Sequence, residues 1–145
     1  MTKKKQQWWH KKLEKPKFIA NISKIIKAED LTTGNYTSKY EADICKLLNV
    51  KYSIAVSSGS MGTLLAFLAL DINHGDEIII PNIGWISVIN ACKIIGAVPI
   101  IVDVEKNRPI IDTSKIEDAI TKKTKIIFPI YMNGRSANIK KLKRI

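Results

Sequence analysis

The chain has 145 residues, enough for one domain of modest size and too few for two. A hydrophobic fraction of 46% argues against a disordered protein, and the apolar stretches are too short or too interrupted for a membrane span or a secretory signal. The net charge is +11, from 24 Lys and Arg residues against 13 Asp and Glu residues. We therefore expect a soluble, cytoplasmic protein.

Residues 1–17 form a strongly basic segment in which Glu14 is the only acidic residue. Trp8, Trp9 and His10 interrupt the lysines, and such a mixture can bind nucleic acid through charge and stacking, or anionic lipid. A disordered, solvated terminus explains the same composition. We expect the disordered tail and no membrane binding, with nucleic-acid binding as the less favoured alternative.

Two helices are predicted after this tail. Residues 18–30 carry isoleucines near helical spacing, and residues 31–35 have the composition of a loop. Ser38 and Glu41 stand at the spacing of a capping box, which predicts that the second helix begins near Ser38.

Apolar strands then alternate with helices along the rest of the chain. The strands are predicted at residues 52–56, 77–80, 98–104 and 125–131. Helices are predicted at 61–70, at 85–95 with Gly96 marking its end, and after a cap at Asp112 or Ser114. This alternation predicts an α/β fold with a mainly parallel sheet flanked by helices.

A Ser-Ser-Gly-Ser sequence at residues 57–60 separates a predicted strand from a predicted helix. Unpaired amides and the positive end of the dipole lie at such a helix start, Gly59 allows close approach, and the serines add donors. These features suit a phosphate monoester. Serine is also a common helix cap and glycine a common turn residue, so a purely structural role stays open. The spacing fits neither a P-loop nor a dinucleotide-binding loop.

Trp85 follows the loop after the predicted strand at 77–80, at the same carboxyl edge of the sheet. Ligands of open α/β sheets bind along that edge, and an indole there can lie flat against a planar ring. A core or interface tryptophan is the alternative interpretation.

The remaining reactive side chains do not form a recognisable catalytic or metal site. Cys45 and Cys92 have apolar neighbours and are expected to be buried, reduced thiols. His74 lies in a predicted turn. Asp103 and Glu105 are spaced to point the same way, but no third ligand is evident, so we expect no metal site.

Several short motifs occur in one order along the chain. They are Leu31-Thr32-Thr33-Gly34, Val56-Ser57-Ser58-Gly59-Ser60, Gly75-Asp76-Glu77-Ile78-Ile79-Ile80-Pro81, Trp85, Asn90-Ala91, Gly96-Ala97-Val98-Pro99, Val102-Asp103-Val104, Thr124-Lys125, Gly134 and Ala137. The ordered set resembles the DegT/StrS-type aminotransferases, which use pyridoxal 5′-phosphate (PLP) and act on nucleotide-linked keto sugars. The resemblance covers roughly residues 16 to 142.

The resemblance implies an incomplete fold-type-I aminotransferase large domain. It assigns Gly59, Ser60 and Met61 to the phosphate of PLP, where family members usually have Gly-Thr-Ala, and Trp85 to stacking on the pyridine ring. Gly84 departs from the hydroxyl residue that usually precedes this aromatic.

The same resemblance implies that two catalytic groups lie beyond the chain end. The aspartate that binds the pyridine nitrogen and the Schiff-base lysine are both expected downstream of the segment that matches residues 134–142. We therefore expect residues 18–145 to be the N-terminal part of the large domain, truncated before the catalytic lysine and inactive alone. The strand at 52–56 is expected to lack its usual neighbour, leaving an open edge that lowers stability.

For the complete protein, the resemblance implies transfer of an amino group, with glutamate as donor, to a nucleotide-linked keto sugar by a homodimer. A related branch of the family dehydrates such sugars instead. A non-catalytic remnant that binds phosphate or a partner is the alternative for the chain itself.

Overall fold

The computed structural model describes residues 15–28, 32 and 34–145. Most of the predicted basic tail, including Trp8, Trp9 and His10, lies outside the described residues, as does part of the predicted loop at 31–35. The chain divides into two compact units, residues 1–55 and residues 56–145. None of the helices in the described ranges combines the length and the apolar character needed to cross a bilayer.

The first unit contains helices α1 (Lys15–Lys27) and α2 (Asn35–Leu48). Helix α1 begins three residues before the predicted start, so the predicted tail boundary at residue 17 falls inside a helix. The predicted capping box of α2 is wrong. Gly34 is the N-cap without a side-chain cap, and the Glu41 carboxylate accepts a hydrogen bond from the Ala55 amide at 2.7 Å. Asn49, in the left-handed conformation, ends α2.

Residues 52–56 were predicted as a strand, and this prediction is wrong: the segment is assigned no regular structure. Tyr52 and Ile54 are 74% and 77% exposed. A strand exists only where a neighbouring strand shares its backbone hydrogen bonds, and the strands in the described ranges pair with one another instead.

The second unit is built on three parallel strands, β1 (Glu77–Pro81), β2 (Val98–Val102) and β3 (Thr124–Ile127), in the order β2-β1-β3. The connections contain α3 (Gly59–Ala69) before β1, α4 (Ser87–Ile95) between β1 and β2, and α5 (Ile116–Ala119) before β3. A short 3₁₀ turn (Met132–Gly134) and α6 (Ile139–Leu142) follow. The predicted parallel α/β arrangement is confirmed.

Central strand β1 is buried on both faces. Ile78 and Ile80 pack in one cluster with Phe67 and Val88 of the helices α3 and α4. Ile79 points the other way, into a cluster with side chains that include Ile111 and Ile116. Coverage of both faces explains why this strand is a continuous apolar run rather than an alternating one.

The ends of several elements differ from the prediction. Strands β2 and β3 are shorter than predicted, and Val104 forms an isolated antiparallel bridge with Ile111. Neither Asp112 nor Ser114 caps α5. The Asp112 carboxylate instead accepts hydrogen bonds from the amide and hydroxyl of Ser114, which lower the pKa of Asp112. Lys115 is the N-cap, without a side-chain cap.

Gly96 ends α4 as predicted, because its φ of 75° places it in the left-handed region. The side chain of His74 packs beside Gly96, where an added Cβ would lie 2.5 Å from its ring. Both cysteines are free thiols as predicted, but only Cys92 is buried; Cys45 is half-buried, which differs from the prediction.

Candidate functional site

The start of helix α3 presents two backbone amides that have no acceptor in the described part of the chain. Ser58 is the N-cap in an extended conformation, and its hydroxyl accepts a hydrogen bond from the Met61 amide at 3.2 Å. Within residues 34–145, no group accepts a hydrogen bond from the amides of Gly59 or Ser60. Of the three residues predicted to bind phosphate, two therefore offer free amides, and the third has its amide occupied.

Neither packing nor backbone conformation requires a glycine at position 59. A Cβ added there would meet nothing within 4 Å, and its φ is not in the left-handed region. Thr63 donates a hydrogen bond from its hydroxyl to the Gly59 carbonyl at 3.1 Å, which holds the first turn of the helix. With packing and backbone conformation excluded, one physical reason for a glycine at position 59 is that it lets a ligand approach the backbone closely.

Trp85 lies on the same cavity as the start of α3. The cavity has a volume of about 510 Å³, and its lining includes Ser58, Gly59, Ser60 and Trp85. The Trp85 side chain is 74% exposed, which is unusual for a large aromatic residue. The structure thus brings together Gly59, Ser60 and Trp85, whereas Met61 does not line this cavity.

The rest of the cavity wall is largely apolar. Val88 of α4 and two residues that follow β3, Phe128 and Ile130, contribute to it. The Phe128 amide donates to the Ile79 carbonyl at 2.8 Å, and its ring packs edge-on against Phe67 with centroids 5.7 Å apart. These contacts fix the wall. An apolar wall with a few polar groups at one end is typical of sites for small cofactors.

Gly84 and Ile130 pack directly against each other next to Trp85 in the chain. A Cβ added at Gly84 would collide with Cδ1 of Ile130, the end of a flexible side chain, which would have to shift to make room. Ile130 also lines a smaller cavity of about 180 Å³ together with Gly84 and Trp85. A side chain at position 84 would therefore need Ile130 to move, and the glycine found where a hydroxyl residue is usual avoids that movement.

Sequence reasoning missed Ser87, the first residue of α4. Ser87 is 9% exposed and lines the cavity beside Trp85. Its position two residues after Trp85 could have indicated that it lies near the same site. Phe128 and Ile130 were not predicted to be at the site because they come from a distant part of the sequence.

Asp103 belongs to a separate polar cluster after β2. It pairs with the Lys115 ammonium at 2.6 Å and accepts a hydrogen bond from the Asn82 side chain at 3.1 Å. The hydrogen bond with Asp103 raises the pKa of Lys115. Glu105 turns away to Arg108, so Asp103 and Glu105 do not share a site. No group of His, Cys, Asp and Glu residues suited to a metal ion occurs in the described part of the chain.

The sequence matches the profile of the DegT/DnrJ/EryC1/StrS aminotransferase family over residues 12–145. Among solved structures, NtdA from Bacillus subtilis, with bound cofactor PMP, is 32% identical with a TM-score of 0.85, over 92% of this chain and 31% of NtdA. S. venezuelae DesV is 26% identical with a TM-score of 0.85, over 90% of this chain and 35% of DesV.

A further similar structure is the E. coli GDP-4-keto-6-deoxy-D-mannose-3-dehydratase with bound hydrated PLP. It is 28% identical with a TM-score of 0.82, over 96% of this chain and 36% of that protein. The chain therefore spans about a third of the length of the solved proteins that it matches.

Proposed function

The chain belongs to the DegT/DnrJ/EryC1/StrS aminotransferase family, and on that premise we propose that its cavity binds the phosphate and the pyridine ring of PLP. The observation that carries the proposal is the shared cavity, in which two free amides at a helix start lie with an exposed indole. For the complete protein we propose transfer of an amino group from glutamate to a nucleotide-linked keto sugar, by a homodimer.

The start of α3 fits a phosphate group. The amides of Gly59 and Ser60 have no acceptor among the described residues, and the helix dipole adds positive potential at the same place. A hydrogen bond to a charged group contributes about 1.5–3 kcal/mol, so two such bonds suffice to make binding depend on the phosphate. The open space over Gly59 lets an oxygen approach the backbone. The occupied amide of Met61 makes it the weakest of the proposed contacts.

The Trp85 indole and the apolar wall fit a planar ring. Stacking of a planar heteroaromatic ring on an aromatic side chain is worth roughly 1–3 kcal/mol. Val88, Phe128 and Ile130 supply the apolar surface that would face the ring. Gly59, Ser60 and Trp85 thus bind and orient the cofactor.

When bound, PLP supplies an electron sink for the reacting carbon of the substrate. The chemistry also needs a lysine, and no lysine lies among the described residues that line the cavity. We propose that residues 18–145 form the N-terminal part of the large domain, and that none of the lysines in this chain reacts with the cofactor. This chain then contributes binding and orientation rather than proton transfer.

The test of cofactor binding uses pyridoxamine 5′-phosphate (PMP), which needs no lysine. In a Trp8→Phe/Trp9→Phe background, Trp85 is the sole tryptophan, so its fluorescence reports directly on the site. We expect saturable quenching by PMP, with the phosphate-free analogue pyridoxamine binding at least about tenfold more weakly because the α3 contacts are lost. Equal affinities for the two ligands, or no quenching by PMP, would contradict the proposal.

The absence of a reacting lysine is tested by comparing PLP with PMP on the 145-residue chain. Similar affinities for both are expected, because neither gains a covalent bond. Borohydride reduction with PLP, followed by peptide mapping, should then show only scattered labelling of surface lysines. Stoichiometric labelling of one lysine, with tighter binding of PLP that is lost when that lysine is replaced, would refute this part of the proposal.

A second candidate function is sugar dehydration, favoured by the 28% identity to the E. coli dehydratase. The two reactions differ in their products. Incubating the protein that contains this chain with a nucleotide-linked keto sugar and glutamate, followed by mass spectrometry, distinguishes them. An amino sugar supports the aminotransferase, and loss of water without amination supports the dehydratase.

A further inference from the structure

Ser87 lines the cavity, and its hydroxyl has no hydrogen-bond partner among the described residues. Ser87 is 9% exposed, yet no group in the described part of the chain forms a hydrogen bond with its Oγ. No described side-chain polar atom is both sealed from solvent and unpaired, so this Oγ keeps some contact with solvent, and the cavity is an opening that Ser87 lines. A largely buried, unpaired hydroxyl on a residue that lines a cavity is suited to bind whatever fills that cavity.

Helix capping does not account for Ser87. The N-cap of α4 is Ile86, and the helix start has no side-chain cap hydrogen bond. The Ser87 hydroxyl forms no hydrogen bond with the described residues of helix α4 or with those of the core around Val88 and Cys92, so it does not stabilise either through hydrogen bonding. A core position without polar partners more often holds an alanine or a larger apolar residue.

Two helices begin at the cavity, and the start of a helix favours a bound anion. Helix α3, with 11 residues, begins at Gly59, and α4, with nine residues, begins at Ser87, and both residues line the cavity. Each helix start carries free amides and the positive end of a dipole. No charged side chain lines the described cavity wall, so nothing there opposes or neutralises an anion.

From the buried hydroxyl and the two helix starts, we infer that Ser87 Oγ donates a hydrogen bond to a phosphate oxygen of the bound ligand. The phosphate then lies between the amides of Gly59 and Ser60 on α3 and the first turn of α4. This inference rests on the proposed function, and it adds a binding residue on a second helix. It makes phosphate recognition a joint property of α3 and α4, which pack together in the fold.

The experiment replaces Ser87 with alanine and measures the affinities of PMP, pyridoxamine and inorganic phosphate by calorimetry. We expect Ser87→Ala to weaken PMP and inorganic phosphate by about tenfold or more, since one charge-assisted hydrogen bond is lost. Pyridoxamine affinity should stay unchanged, because that ligand lacks the phosphate. Thermal unfolding should occur at the same temperature or higher, because the hydroxyl has no partner to lose.

Two further variants serve as matched controls. Ser87→Thr retains the hydroxyl and should bind PMP more tightly than Ser87→Ala, while Ser38→Ala, a serine of α2 in the other unit, should bind like the wild type. Unchanged PMP affinity in Ser87→Ala, or an equal loss for pyridoxamine, would overturn the inference. Failure of the wild type to discriminate PMP from pyridoxamine would overturn the proposed function instead, so the two failures are distinguishable.

Discussion

Replacing Gly59 with alanine distinguishes a glycine kept for a ligand from one kept for the fold. The new Cβ would meet no protein atom within 4 Å, and the backbone is not left-handed. Alanine in a helix is favoured over glycine by about 0.5–1 kcal/mol, so the free energy of unfolding should be unchanged or slightly raised. Under the proposed function, the same methyl group would lie where a phosphate oxygen approaches the amides. Loss of one bond worth about 1.5–3 kcal/mol predicts roughly 10- to 150-fold weaker PMP binding.

Gly75→Ala is the matched control, because Gly75 also has open space around it but a φ of 86°. Its left-handed backbone should make that substitution reduce the free energy of unfolding by about 1–2 kcal/mol, with PMP binding unaffected in the folded protein. Urea unfolding and calorimetric titration with PMP measure the two quantities. The reasoning is refuted if Gly59→Ala binds PMP like the wild type, or if it loses as much stability as Gly75→Ala.

Two other predictions concern packing and thiol reactivity. Gly84→Ala places a Cβ against Cδ1 of Ile130, the end of a flexible side chain beside a cavity, so Ile130 can shift. The free energy of unfolding should therefore fall by no more than about 1 kcal/mol in urea titrations, the low end of the cost of overpacking. Ile130→Val in the same chain should remove most of this loss, and a much larger loss or strictly additive losses would contradict the reasoning. Burial raises the pKa of the Cys92 thiol, so a disulfide reagent should label Cys45 but not Cys92 in the native protein and both in urea, whereas native labelling of Cys92 would contradict this.

The general fold could be predicted from the sequence because the patterns that specify its helices and strands lie within short segments of the chain. Continuous isoleucine runs predicted buried parallel strands, and Gly96 predicted the end of a helix. Gly59, Ser60 and Trp85 do line one cavity, although the segment before Gly59 forms no strand and the rule about carboxyl ends of parallel strands applies only to Trp85, which follows β1. That these residues bind a cofactor stays a prediction.

Other features depend on contacts between distant residues and left no signal along the chain. Residues 52–56 have strand composition, but a strand forms only beside a partner, and β1, β2 and β3 pair with one another. The capping-box motif at Ser38 failed because the helix already begins at Asn35. The contact between Gly84 and Ile130 joins residues 46 positions apart (130 − 84), so spacing alone does not reveal it.

The most direct test of phosphate binding by the start of α3 is an amide NMR titration of the 145-residue chain with PMP. The account predicts that the amide signals of Gly59 and Ser60 move with PMP, that they stay in place with pyridoxamine, and that the indole N–H of Trp85 responds to both. Shifts confined to the lysine-rich segments, with Gly59 and Ser60 unmoved, would contradict it.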